Sequence, residues 1–170
     1  MSDRTKIFCL ALTGTFWLCC AHADYKFITE NPFEAQKRLF DDIRAGRLDS
    51  AHVAPQVVEA TTKESIFAAT PAKLNQLGSI SQICLFFAVR YPAARALAFR
   101  TVHQSGCGDW VITTTVSPEI VTGVVLVPVK LSPGRTDTCG PPGVIPPVPA
   151  GGENFVLPNN VKCIRLAEDS

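Results

Sequence analysis

The 170-residue chain predicts an α+β domain, with short N-terminal helices packed on a curved four-stranded antiparallel meander and followed by a Pro/Gly-rich, disulfide-tethered tail. Three observations carry that prediction. Apolar residues recur at three- and four-residue spacing up to Leu77, the spacing of one helix face. From Ser79 the period drops to two, in runs of β-branched and aromatic residues separated by turn residues. Residues 133–158 then hold seven of the thirteen prolines, which breaks regular structure.

Before the first helix stands a leader. Arg4 and Lys6 precede an apolar run from Ile7 to Cys20, and Ala21-His22-Ala23 closes it with small residues at the flanking positions. This is the order of a secretory signal peptide over residues 1–23, with cleavage expected between Ala23 and Asp24. The run of about 14 residues falls short of the roughly 20 that span a bilayer, so no membrane insertion is expected after cleavage. Residues 24–132 then form the domain and 133–170 the tail. The expected location is periplasmic or secreted.

Asn31-Pro32 opens the first helix, with an Asn side-chain cap and a Pro at the position where a missing N–H costs nothing. Phe33, Gln36, Leu39, Phe40 and Ile43 share its inner face, and Gly46 ends it in a left-handed conformation. Asp49-Ser50 is expected to cap a short second helix carrying Val53, interrupted at Pro55 and resuming through Val57-Val58. Thr70-Pro71 starts a third, which Gly78 terminates. Strands follow over Gln82–Val89, Arg95–Gln104, Trp110–Val116 and Ile120–Leu131, with turns at Tyr91-Pro92-Ala93, at Ser105-Gly106-Cys107-Gly108 and at Ser117-Pro118-Glu119. In the second strand Leu97, Phe99, Thr101 and His103 share one face, while Ala96, Ala98, Arg100 and Val102 share the other.

Loss of the leader removes Asp3, Arg4 and Lys6 from the 15 acidic and 16 basic residues, which leaves 14 of each and a formal charge of zero. A neutral chain without a Lys/Arg run offers no electrostatic footprint for nucleic acid. Cys84, Cys107, Cys139 and Cys163 remain, an even set that reads as two disulfides in an exported chain. No metal site is expected, because their spacings match no zinc pattern. The pairing stays open. A tight first hairpin puts Cys84 opposite a residue near Thr101, and therefore about 20 Å from Cys107, beyond disulfide reach. Sequence-adjacent pairing, on the other hand, is the common pattern in small exported domains. A Cys139–Cys163 bond would close a loop of about 24 residues and clamp the tail.

Leu77-Gly78-Ser79-Ile80, Arg90-Tyr91-Pro92-Ala93, the run from Phe99 to Gly106 and Asp109-Trp110-Val111-Ile112 together resemble the NTF2-like (cystatin-like α+β cone) superfamily. The likeness is to its exported branch, found alone or fused to penicillin-recognising serine hydrolases, and it covers about residues 33–130. It implies a curved sheet around helices with an apolar pocket at the mouth of the cone. It also implies binding or dimerising modules as well as isomerases and dehydratases, so a homodimer is allowed. The catalytic Tyr/Asp pair of the isomerases has no match here, and the Ser-x-x-Lys motif of the fused hydrolases is absent: Thr70-Pro71-Ala72-Lys73 has the spacing but reads as a helix cap.

Candidate chemistry is sparse. His103 and Asp109, set across the Gly106–Gly108 turn, are the one pair suited to general acid–base work, in which a carboxylate fixes the imidazole tautomer. Their bland alternative is a polar pair beside a hairpin. Cys107 as a nucleophile with His103 as base competes with a disulfide and loses. Phe99, His103 and Trp110 are the expected ligand-binding residues of the pocket. Arg90, Arg95 and Arg100 flank the first hairpin, as an anion site or simply solvated. No cofactor is expected. The sequence thus reads as a non-catalytic domain that binds a small apolar ligand or a protein partner. Its rivals are a small isomerase or hydro-lyase using His103 and Asp109, and an interaction protein docking through Pro146-Pro147-Val148-Pro149 as a polyproline segment.

Overall fold

The structure, a computed structural model, describes residues 25–130, 139, 153–156 and 161–166. The leader over 1–23 and most of the Pro/Gly-rich tail, Pro146 to Pro149 included, lie outside the described residues. Three helices precede the strands in the chain: α1 (Pro32–Ala45), α2 (Pro55–Thr62) and α3 (Pro71–Leu77). The strands are β1 (Ile80–Arg90), β2 (Ala94–His103), β3 (Gly106–Thr115), β4 (Val121–Lys130), β5 (Glu153–Val156) and β6 (Lys162–Arg165).

Helix α1 forms as its end signals dictate. The Asn31 side chain accepts from Phe33 N at 3.1 Å, and Gly46 adopts φ 66° and donates back to Ile43 O and Asp42 O. Its buried stripe of Ala35, Leu39, Phe40 and Ile43 lies on the sheet, each large apolar side chain contributing about 1.5–3 kcal/mol by burial. Helix α3 has the expected cap, with Thr70 Oγ1 accepting from Lys73 N, and it buries Leu74 and Leu77. The Lys73 ammonium bonds the carbonyls of Ser65 and Ala68, so it staples the preceding loop.

The second helix differs from expectation. Asp49 and Ser50 open only a turn, in which Asp49 Oδ1 takes Ala51 N at 2.8 Å, and Val53 forms a parallel bridge to Val121. The helix begins at Pro55 instead. Pro55 would clash with a helical turn running into it, whereas at the first position of a helix it is tolerated. Residues 52–54 are thereby released to cover the outer edge of β4 through Ala54 N to Val121 O and Val121 N to His52 O.

Strands β1 to β4 make an antiparallel meander in the order β4-β3-β2-β1, and β5 and β6 both pair antiparallel with the free edge of β1. Bulges at Ser81 and Phe86 in β1 and at Thr122 in β4, opposite Thr113 and Thr114, bend and twist the sheet. Pro128, which cannot donate to a ladder, sits on the edge strand β4. The helix-covered face carries Ile83, Leu85, Leu97, Phe99, Trp110, Ile112 and Leu126, all buried in one core with the helices and with Tyr25 and Phe27. The Tyr25 hydroxyl donates to Asp42 Oδ2 at 2.7 Å; burial and that carboxylate push its pKa up, so it remains a donor. The other face carries a smaller cluster of Phe86, Phe87, Val89 and Ala98.

Two disulfides join the four cysteines as Cys84–Cys163 and Cys107–Cys139. Neither sequence-adjacent pairing forms. Cys84 stands opposite Arg100, one residue from the expected Thr101, and Cys107 stands opposite Val102 on the far side of β2, about two strand spacings away, while β6 sets Cys163 directly across from Cys84. Lys130 ends β4 at one edge of the sheet and Glu153 begins β5 beyond the other. Cys139, bonded to Cys107, stands on the face away from the helices.

Candidate functional site

The His103–Asp109 pair expected from the sequence does not form. The turn between β2 and β3 is Gln104-Ser105, shorter than expected, and Gly106, Cys107 and Gly108 belong to β3. The register therefore sets His103 against Gly106 and Asp109 against Arg100. Side chains alternate between faces, so His103 points into the helix-covered core and Asp109 to the opposite side. Cys107 shares the Asp109 face and is disulfide-bonded, which also removes the thiol–imidazole alternative.

Each member of the pair has a different partner. Asp109 accepts from Arg100 Nε and Nη2, both at 2.7 Å, in a two-pronged buried ion pair. Arg100 Nη1 also donates to the Cys139 carbonyl at 3.3 Å, so the arginine expected to be solvated is instead buried, bonded to both Asp109 and Cys139. His103 stands in a closed chain: Nδ1 lies 3.1 Å from Gly78 O, Nε2 lies 2.7 Å from Thr101 Oγ1, and Thr101 Oγ1 accepts from Trp110 Nε1 at 2.9 Å. A carbonyl can only accept, so Nδ1 carries the proton and Nε2 takes the Thr101 hydroxyl hydrogen. Burial lowers the His103 pKa, and Arg44 lowers it further, so the imidazole is held neutral against the Phe40 ring at 5.2 Å.

The expected ligand-binding residues are core residues. Phe99 and Trp110 are fully buried and His103 is 3% exposed. Phe99 is covered by Phe27 and Phe33, with ring centroids at 6.0 and 6.4 Å, and Trp110 by Phe40 at 6.1 Å. None of the three lines the clefts described next.

Those clefts lie at the margins of the helix layer. One, of about 440 Å³, opens between the end of α1, α2 and α3, walled by Ile43, Leu48, Val58 and Pro71 with Thr61 and Thr70. Another, of about 220 Å³, opens where the first hairpin runs out beyond the start of α1. Its apolar wall is Phe27, Ile28, Leu85 and Leu97, and Arg90 and Arg95 stand with them. The register pairs Arg90 directly with Arg95, on the same sheet face as Leu97 and Ala88. Arg95 Nη1 donates to the carbonyls of Tyr91 and Ala94, both at 2.8 Å, which holds the guanidinium against the hairpin end. Partial burial and the neighbouring Arg90 charge lower the Arg95 pKa. Alternation in the sequence already put Leu97 on the pocket-facing side. Phe27 and Ile28 carried no signal, because they precede the first helix and belong to no periodic run.

Among the described residues no group of His, Cys, Asp and Glu comes together as a metal site, and no helix is long and apolar enough to cross a membrane. No family model, no curated protein and no solved structure matches the chain.

Proposed function

We propose that the chain is an exported, non-catalytic binding domain that takes a small apolar ligand at the cleft walled by Phe27, Ile28, Leu85 and Leu97. Residues 1–23 act as a signal peptide cleaved between Ala23 and Asp24, and the product works in the periplasm or outside the cell. One observation carries the reading. The two side chains suited to acid–base chemistry are committed elsewhere, His103 to Thr101 and Gly78 and Asp109 to Arg100, while an apolar cleft stays open at the rim of the same sheet. Two disulfides pairing all four cysteines beyond residue 23 support an oxidising destination. Helices on one face of a bulged antiparallel meander are the arrangement that the NTF2-like resemblance implies, and they support that assignment as far as layer order goes.

A ligand bound only by the folded state raises stability by mass action, about 2.7 kcal/mol at a hundred times its dissociation constant. Toluene-sized apolar probes are expected to raise the unfolding midpoint of the oxidised chain. Ala88→Leu, which adds bulk at the cleft wall, is expected to abolish that rise. A midpoint indifferent to every probe would refute the reading.

A protein partner is favoured by a different feature. Ile66, Phe67 and Val125 are exposed at 75, 51 and 37%, and the Phe67 carbonyl bonds Leu126 N at 2.9 Å, which brings these apolar side chains to one edge of the sheet. Large apolar side chains left exposed near one sheet edge favour a surface that a partner covers.

A further inference from the structure

We infer that the larger cleft, at the carboxyl ends of α1 and α2, binds a small primary amine, with its ammonium at Glu64 and its apolar body against Ile43, Leu48 and Val58. This site is separate from the hairpin-end cleft and stands whether or not that cleft takes a ligand. Three observations lead to it. First, its volume of about 440 Å³ falls within the roughly 300–1,000 Å³ of ordinary ligand pockets, and Ile43, Leu48, Val58 and Pro71 give it an apolar wall. Second, Glu64 is the one charged side chain among the described residues that line it. The nearby lysines are engaged elsewhere: Lys63 pairs with Glu59, and Lys73 is turned to the carbonyls of Ser65 and Ala68. Third, Ile43 and Gly46 close α1 and Thr61 and Thr62 close α2, so two helix carboxyl ends meet the cleft. Each is the negative end of a helix dipole and favours a cation.

The opposing contributions lie outside the cleft or are already satisfied. Helix α3 turns its amino end to the cleft, but Pro71 has no N–H and the Lys73 N–H is taken by Thr70 Oγ1. Arg44, in the last turn of α1, stands over the Phe40 ring and lines a different hollow with Lys37 and Asp41. Arg47 does not line the cleft. The hydroxyls then select the kind of cation. Thr61 Oγ1 donates to Val58 O at 2.8 Å and Thr62 Oγ1 to Glu59 O at 2.7 Å. A hydroxyl has one hydrogen, so each of these oxygens is left as an acceptor. With the Glu64 carboxylate they form a set of acceptors, and an ammonium, with three N–H donors and no acceptor, complements it. A quaternary ammonium would leave the acceptors unmet, and an acid would set like charge against Glu64.

Calorimetric titration of the oxidised chain at neutral pH with phenethylamine and with phenethyl alcohol tests the inference, because the two probes share one apolar body. Phenethylamine is expected to bind about tenfold more tightly, the increment of a charge-assisted hydrogen bond over a neutral one. Glu64→Gln, at an exposed position, is expected to bring the two probes to one affinity. Methyl resonances locate the amine, with Ile43, Leu48 and Val58 expected to shift and Leu85 and Leu97 to stay. Alcohol bound as tightly as amine, an amine preference that survives Glu64→Gln, or shifts centred on Leu85 and Leu97 would each overturn the inference, as would binding of neither probe. The preference and the shifts are both read on the unaltered chain, so the test decides the matter even where the variant fails to fold.

Discussion

At the scale of single residues, the side chains with the most reactive chemistry are the most constrained. His103 has its two ring nitrogens occupied and its pKa lowered by burial, so the unfolded chain takes up a proton first on acidification. The stability it contributes is complete above the unfolded pKa of about 6.5 and is lost as pH falls through that value towards the lower folded pKa. The urea midpoint is therefore expected to drop between pH 7 and pH 5.5, and to drop less in His103→Gln; equal slopes in the two proteins would contradict this. The Arg100–Asp109 pair makes a second prediction. Asp109→Asn leaves a buried guanidinium without its charge partner and is expected to cost about 3–5 kcal/mol. Replacing both residues, as Arg100→Met with Asp109→Leu, is expected to cost much less, and denaturant unfolding of the two variants distinguishes the cases. Residue types alone single out His103 and Asp109 as titratable, but the partner of each depends on strand register, which the two-residue turn at Gln104-Ser105 sets.

At the scale of elements, the helix ends were legible because each signal is local. Asn31, Pro32 and Gly46 act within one turn of where they stand, as do Thr70 and Gly78. The β2–β3 turn was not legible, because Gly106 and Gly108 look like turn residues and their real role is visible only across the sheet. A Cβ at Gly108 would stand 3.0 Å from both Thr101 Oγ1 and Trp110 Nε1, and 2.9 Å from Leu126 Cδ1. This glycine therefore serves close packing around the Trp110–Thr101–His103 chain rather than a turn. Gly108→Ala is expected to destabilise by about 1–3 kcal/mol through overpacking and to move the Trp110 indole N–H resonance. An unchanged resonance would show that the chain tolerates the methyl group. The β1–β2 hairpin was read almost correctly, because Tyr91-Pro92-Ala93 did fall at its turn. That register is what brings Arg90 and Arg95 together.

At the scale of the whole molecule, the disulfides join parts of the chain that no local pattern connects. Cys84 and Cys163 are 79 residues apart and Cys107 and Cys139 are 32 apart. In the chain-entropy model each cross-link stabilises by about 4 kcal/mol, well above a contribution from any single surface contact. Reduction is expected to lower the unfolding midpoint sharply, and peptide mapping without reduction is expected to recover these two pairs and no Cys84–Cys107 peptide. The four cysteines identified a disulfide framework from the sequence, but the pairing required knowing that β6 returns to the free edge of β1. The pocket moved for a related reason. Phe99, His103 and Trp110 lie at the centre of the sheet, where α1 covers them, and the open apolar surface is left at the hairpin end, beyond the helix layer.

That displacement is tested most directly by titrating octanol into the oxidised, methyl-labelled chain and following the methyl resonances together with the Trp110 indole N–H. Saturable shifts at Ile28, Leu85 and Leu97, with the Trp110 signal unmoved, are the predicted result. Shifts centred on Trp110 with none at Leu85 or Leu97 would return the ligand to the core and contradict the account, and the absence of any saturable shift would contradict it outright.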